Sequence, residues 1–187
     1  MKRSDTVNYL IISDIHGSHE RLKDVLGTPL SYDGIICVGD HLYHGPRNPI
    51  LDDYNPAAVA DTLNTLNTPI LAVRGNCDSE VDQMVLHYPM MQDYTILNND
   101  EKTIFITHGH IHEPKDAHLT RSDVFISGHT HIPGFSQVKN TLCVNPGSIS
   151  LPKEGHPPTY AYLDASGITI YDLDHEVYMR LKFNEPL

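Results

Sequence analysis

The chain has 187 residues, 40% of them hydrophobic, and a net charge of -11 from thirteen Lys and Arg against twenty-four Asp and Glu. That length suffices for one domain with a buried core. The acidic balance, with no basic block, argues against a general nucleic-acid binder, whose affinity would rest on Lys and Arg. No apolar run approaches the ~20 residues of a membrane helix, and the one near the N-terminus is too short for a signal h-region. The three cysteines, Cys37, Cys77 and Cys143, form no Cys-x-x-Cys pair and no even-numbered framework, so a reducing cytoplasm is the expected compartment. Thirteen histidines flag metal chemistry. A bound cation would reverse the local charge, so a small phosphate substrate is compatible with the acidic total.

Tyr9–Ile12 reads as a first buried strand, running into Ser13-Asp14-Ile15-His16-Gly17. With near-extended backbone there, Asp14 and His16 would point to one side. Ser18–Leu26 reads as a helix from the spacing of Leu22, Val25 and Leu26, with Gly27 and Pro29 stopping it. Residues 34–38 form a second apolar strand, followed by Gly39-Asp40 and a loop to Asn55. Unstructured loops beyond about 12–15 residues are uncommon and often functional. Pro56–Asn67 reads as a helix with Asn55 as N-cap, Ile70–Val73 as a third strand ending in Arg74-Gly75-Asn76-Cys77-Asp78, and Val81–His87 as a short helix. The second half reads as strands at 94–97, 103–107, 124–127, 135–138, 141–144, 160–163, 168–172 and 177–183. Turns are expected at Asn98-Asn99-Asp100 and Asp164–Gly167. The β-α-β-α-β opening and the strand-rich remainder predict one α/β domain over 1–187. Two packed sheets with flanking helices would suit this pattern.

Residues that hold metals follow one apolar run after another: Asp14 and His16, Asp40, Asn76, His108, then His129 and His131. A lone Asp or Asn after a strand is usually a cap or turn former, but seven ligand-type residues in this position make a poor coincidence. A glycine sits beside each cluster, where backbone must pass close to a ligand.

Asp-x-His, Gly-Asp, Gly-Asn, His and Gly-His-x-His occur here in that order, and the chain thereby resembles the calcineurin-like metallophosphoesterases over essentially its whole length. Ser13–Ser18, His44–Asn48, Val73–Met84, Thr107–His110 and Asn145–Ser148 point to the YfcE-like phosphodiesterase branch. The resemblance implies a four-layer α-β-β-α sandwich of two mixed sheets. It also implies a binuclear centre, with one metal on Asp14, His16 and His131, the other on Asn76, His108 and His129, and Asp40 bridging. Imidazole and oxygen donors suit Mn, Fe, Co, Ni or Zn, and the resemblance favours two Mn2+. It implies hydrolysis of small phosphodiesters by in-line attack of a hydroxide bridging the two ions. Arg47 and His44 are the candidates for the phosphate and leaving-group side.

Many family members place a histidine after Gly-Asn to protonate the leaving group. Here that residue is Cys77, as is general in the YfcE-like branch, and a thiol is a poorer general acid. Asp78 either orients neighbours or caps the next helix. His41 stands where an aliphatic residue is usual and is expected not to ligate. His110 is either a supporting residue or a structural one. His87, His118, His156 and His175 read as surface residues, and Cys37 and Cys143 as core. Tyr160, Tyr162, Tyr171 and Tyr178 fit either a homo-oligomer surface or a sheet-to-sheet core. The alternatives to a phosphodiesterase are a phosphomonoesterase of the same fold and a catalytically weak protein-binding scaffold, against which the complete ligand set stands.

Overall fold

Alternation along the first strands builds two hydrophobic layers at once. The structure, a computed structural model, describes residues 7–99 and 102–185. In β1 (Tyr9–Ile12), Leu10 and Ile12 pack with Leu22, Val25, Val59 and Leu63, while Ile11 packs with Ile104, Ile106, Ile126 and Ile170. In β2 (Gly34–Cys37), Ile35 and Cys37 take the first side and Ile36 the second. These runs are apolar without interruption because both faces of the sheet are covered. Helices α1 (His19–Leu26) and α2 (Pro56–Thr65) cover one face.

The first sheet joins β1 and β2 in parallel to β3 (Ile70–Ala72). On its other side β1 pairs antiparallel with β9 (Thr159–Asp164), which continues into β10 (Gly167–Asp172) and β11 (Val177–Lys182). The second sheet runs β4 (Tyr94–Asn99), β5 (Lys102–Thr107), β6 (Val124–Ile126), β8 (Thr141–Asn145), β7 (Gly134–Val138), with β5, β6 and β8 parallel. Phe105, Phe125 and Cys143 cover its outer face together with Ala117 from a 3-10 helix, Pro114–Leu119. Both sheets are mixed, and the fourth layer is this 3-10 segment, which no helical periodicity announced.

Local signals mostly held. Asn55 caps α2, its side chain accepting from the Ala58 N–H at 3.1 Å, but the helix stops at Thr65, two residues earlier than expected. Helix α3 spans Glu80–Val85, displaced toward the N-terminus from the expected Val81–His87, because Ser79 and Asp82 form a capping box there. Asp164 bonds the Ser166 and Gly167 N–H groups at the β9–β10 hairpin. Asn98 and Asn99 belong to β4, and the turn expected at Asp100 lies outside the described residues. Tyr160 and Tyr171 stack inside the first core cluster, and Tyr162 bonds the Ser31 carbonyl, so these three serve the chain's own packing.

Candidate metal centre

All seven candidate ligands lie just beyond strand ends: Asp14 and His16 after β1, Asp40 after β2, Asn76 after β3, His108 after β5, His129 and His131 after β6. Ligands in open α/β sheets gather at this edge, where parallel strands end. The backbone that delivers them is not extended. Asp14, His16, Asp40, His129 and His131 all have positive φ, between 48° and 67°. The expectation that Asp14 and His16 align through near-extended backbone is therefore corrected: left-handed residues fold each loop over its strand end. Such conformations cost of order 1 kcal/mol or more each and persist where the surroundings enforce them. One enforcing contact is at Gly75, where a Cβ would collide with the Asp40 side chain and backbone N. Only glycine lets the β3 end pass this close to Asp40.

The hydrogen bonds leave the histidines ready for cations. His16 Nδ1 donates to the Tyr43 carbonyl (2.9 Å), His108 Nδ1 to the Val38 carbonyl (2.6 Å) and His131 Nδ1 to the Leu151 carbonyl (2.6 Å). A carbonyl only accepts, so each neutral ring carries its proton on Nδ1 and presents a lone pair at Nε2. Those Nε2 atoms converge: His16 and His131 approach to 3.4 Å, and His108 lies 3.4 Å from Asp40 Oδ2. Asp14 Oδ1 is buried with no donor, 3.1 Å from His131 Nε2. Lone pairs facing lone pairs and an orphaned carboxylate oxygen fit a bound cation. Asp14, His16 and His131 form one tight group, and Asp14, Asp40 and His108 a second that shares Asp14. Asn76 Oδ1 is 3.1 Å from His108 Nε2, and the His129 ring lies 5.2 Å from that of His108.

The candidate ligands also shift one another's titration. Burial opposes a charge on His108, but the Asp14 and Asp40 carboxylates raise its pKa to about 9. Asp14 is pushed the other way: burial would raise it, yet His108, His131 and His16 hold it well below the usual carboxylate range. Burial and the neighbouring His108 lower His129.

Beneath this layer Asp78 is a hub. Its side chain is fully buried and accepts from the backbone N–H groups of Asp40 (2.9 Å), His41 (2.8 Å) and Gly75 (2.7 Å), and from His41 Nδ1 (2.9 Å). It ties the loop after β2 to the loop after β3. It does not cap α3, a task Ser79 and Asp82 perform. His41 is buried under the site; burial works against its charge, but Asp78 holds its pKa well above that of a free imidazole.

A cavity of about 420 Å³ opens over the cluster, lined by His16, Asp40, Asn76, Cys77, His129 and His131, with Arg47, Asn48, Thr130 and Lys153 around them. Arg47 thus stands beside the ligands. His44 is not among these liners: its ring packs edge-on against Tyr43 and Tyr54. Cys77 reaches within 4.8 Å of ligand atoms on His16 and Asp40, which adds sulfur to a set expected to hold only nitrogen and oxygen. Burial, then the Asp40 carboxylate, pushes its thiol up to about 12. His110 lies against His108, ring centroids 5.3 Å apart, and its Nδ1 is buried without a partner. His118, His156 and His175 are half-buried rather than on the surface, the last two bonded to Tyr178 and Tyr160, while His87 is exposed. Lys153 escaped the sequence reading because it sits in no ligand block; only the turn that brings it to His131 reveals it.

A model of the calcineurin-like phosphoesterase superfamily domain matches residues 7–167. The chain belongs to the calcineurin-like phosphoesterase superfamily. Within it, phosphodiesterase YfcE of Escherichia coli strain K12 is 39% identical over 170 residues, covering 89% of this chain and 92% of that protein. The probable metallophosphoesterase YsnB of Bacillus subtilis strain 168 is 31% identical over 179 residues, covering 89% and 91%. The solved structure of the E. coli phosphoesterase YfcE matches with TM-score 0.85 at 36% identity, over 95% of this chain and all of that one. Vacuolar protein sorting 29 of Cryptosporidium parvum shares the fold, with TM-score 0.68 at 18% identity over 96% of this chain and 99% of that one.

Proposed function

We propose that this superfamily member, acting as a single metallophosphoesterase domain, hydrolyses small phosphodiesters with two divalent ions. The observation that carries the reading is the set of three imidazoles, each committed at Nδ1 to a carbonyl, with His16 and His108 turning Nε2 toward Asp14 and Asp40 and His131 toward Asp14, under a cavity that Arg47 lines. Asp14, His16 and His131 would hold one ion and Asn76, His108 and His129 the other, with Asp40 available to both. Imidazole and oxygen donors suit Mn2+, Zn2+, Fe2+, Ni2+ and Co2+ alike, and Mn2+ heads these candidates on the resemblance to the YfcE-like branch alone. When bound, the ions supply a hydroxide at neutral pH and neutralise the phosphate oxygens, giving in-line displacement.

The chain's own residues do the rest. Arg47 orients the phosphate by paired N–H donation. Asn76 holds its amide against His108 and beside Cys77 (Nδ2 to Sγ 3.3 Å), joining ligand and leaving-group side. Cys77, a thiol and so a weak general acid, supports departure of a good leaving group better than a poor one. Three free cysteines, two of them buried, support a cytoplasmic setting, and among the described residues no helix is long and apolar enough to cross a membrane.

Hydrolysis of bis-p-nitrophenyl phosphate and of p-nitrophenyl phosphate tests the reading. Chelation should abolish diester turnover, Mn2+ should restore it, and the diester should be the better substrate. Equal rates before and after chelation would sink the metal-dependent reading, and a strong preference for the monoester would make the chain a phosphomonoesterase.

A further inference from the structure

Resting on the phosphodiesterase reading, we propose that the substrate is an asymmetric diester, with a second anionic group on one ester arm held by Lys153 and a flat, uncharged second arm held by Tyr43. The chain carries twenty-four acids, yet the cavity wall presents two cations, Arg47 and Lys153, and one carboxylate, Asp40, among its described liners. Arg47 belongs to the scissile phosphate. Lys153 has no carboxylate within ion-pair distance among the described residues, unlike Lys23, Lys115 and Lys182.

The two cations do not duplicate each other. A second cavity of about 650 Å³ shares Pro46, Arg47, Asn76 and Cys77 with the first and continues to Tyr43 and Val81 without reaching Lys153. Arg47 and Cys77 therefore form a divider over which one arm passes, leaving the Lys153 side for the other. Beyond Arg47 the far cavity is lined by exposed Tyr43 and Val81, with Asp82 nearly buried and the Asp78 side chain turned away into its backbone N–H partners, surroundings that accept a flat neutral group.

Each determinant is fastened to a metal-ligand histidine. The Lys153 N–H donates to the His131 carbonyl (3.3 Å), while His131 Nδ1 donates to the Leu151 carbonyl. The Tyr43 carbonyl accepts from His16 Nδ1 (2.9 Å). Lys153 and Tyr43 thus start from backbone held in register with the reacting phosphate, as discrimination between arms requires.

The test compares thymidine 3'-phosphate 5'-(p-nitrophenyl phosphate) with p-nitrophenyl thymidine 5'-phosphate, which lacks the terminal phosphate, using Mn2+-loaded enzyme and p-nitrophenol release. The wild type should favour the first in kcat/KM by about two- to fivefold, an effect that shrinks as salt rises. Lys153→Met should bring the ratio near one, whereas Tyr43→Ala should raise KM for both probes and keep the ratio. A wild-type ratio near one, or a ratio unchanged in Lys153→Met, overturns the proposal even if bis-p-nitrophenyl phosphate is hydrolysed. Failure to hydrolyse any diester with Mn2+ overturns the phosphodiesterase reading and the proposal together.

Discussion

Cys77, on the cavity wall beside the candidate ligands, bears most directly on how the leaving group departs. Its thiol sits beside Asp40, whose Oδ1 accepts the Cys77 N–H at 2.8 Å, and its pKa of about 12 is far from the value that makes an efficient proton donor near neutral pH. Cys77→His should raise kcat on diesters with poor leaving groups by about tenfold or more while changing p-nitrophenyl substrates little. The check is a plot of rate against leaving-group pKa, which should flatten in the variant. His129 offers a second test. Its backbone N–H holds Asp14 Oδ2 at 3.1 Å, which substitution of the side chain leaves in place. His129→Ala should therefore keep the fold but lose most Mn2+-dependent turnover, read by thermal melting and by assay across Mn2+ concentrations. Both residues were identifiable in the sequence by their blocks. What the blocks did not show is that five candidate ligands take positive φ, since nothing in the letters Asp and His announces a left-handed backbone.

At the scale of elements, the site depends on two loops being held together. β2 and β3 are neighbours through hydrogen bonds, but the last of those bonds, from the Val73 N–H to the Cys37 carbonyl (3.1 Å), comes before Asp40 and Asn76. Asp78 takes over from the sheet, joining Asp40, His41 and Gly75. Asp78→Asn would turn N–H donors toward backbone N–H groups and strip His41 of its counter-charge. Mn2+ affinity should fall by about 10–100-fold and stability by about 3 kcal/mol, measured by isothermal titration of the metal-free protein and by urea unfolding. His41→Leu should cost less affinity, because the three backbone N–H groups still hold Asp78. Sequence reading left Asp78 open between orienting and capping. Either use suits an Asp before a helix, and only the position of Ser79 and Asp82 shows that the cap is already made.

At the scale of the whole molecule, the two sheets bring the candidate ligands into one group. Asp14, Asp40 and Asn76 come from the first sheet, His108, His129 and His131 from the second, and the layer between them is fully buried at Ile11, Ile36, Ile106 and Ile126. This packed layer sets how far His108 and His131 stand from Asp14. Ile106→Ala should lower stability by about 2–5 kcal/mol through the cavity it leaves, and the midpoint of urea unfolding checks this.

The sequence by itself determined the metal-binding vocabulary, the family and most strands. Ligand-type residues after apolar runs, glycine beside them and strict alternation within strands are all local patterns. Only the tertiary structure decided that Asp78 clasps two loops, that His44 packs between tyrosines rather than lining the cavity, and that Lys153 enters the site. It also supplied the 3-10 layer over Phe105 and Phe125. The physical reason is range. Periodicity and capping act over a few residues, whereas Lys153 and His131 meet by a return of the chain, and Asp78 and Asp40 by the pairing of separate strands, contacts that no local spacing records.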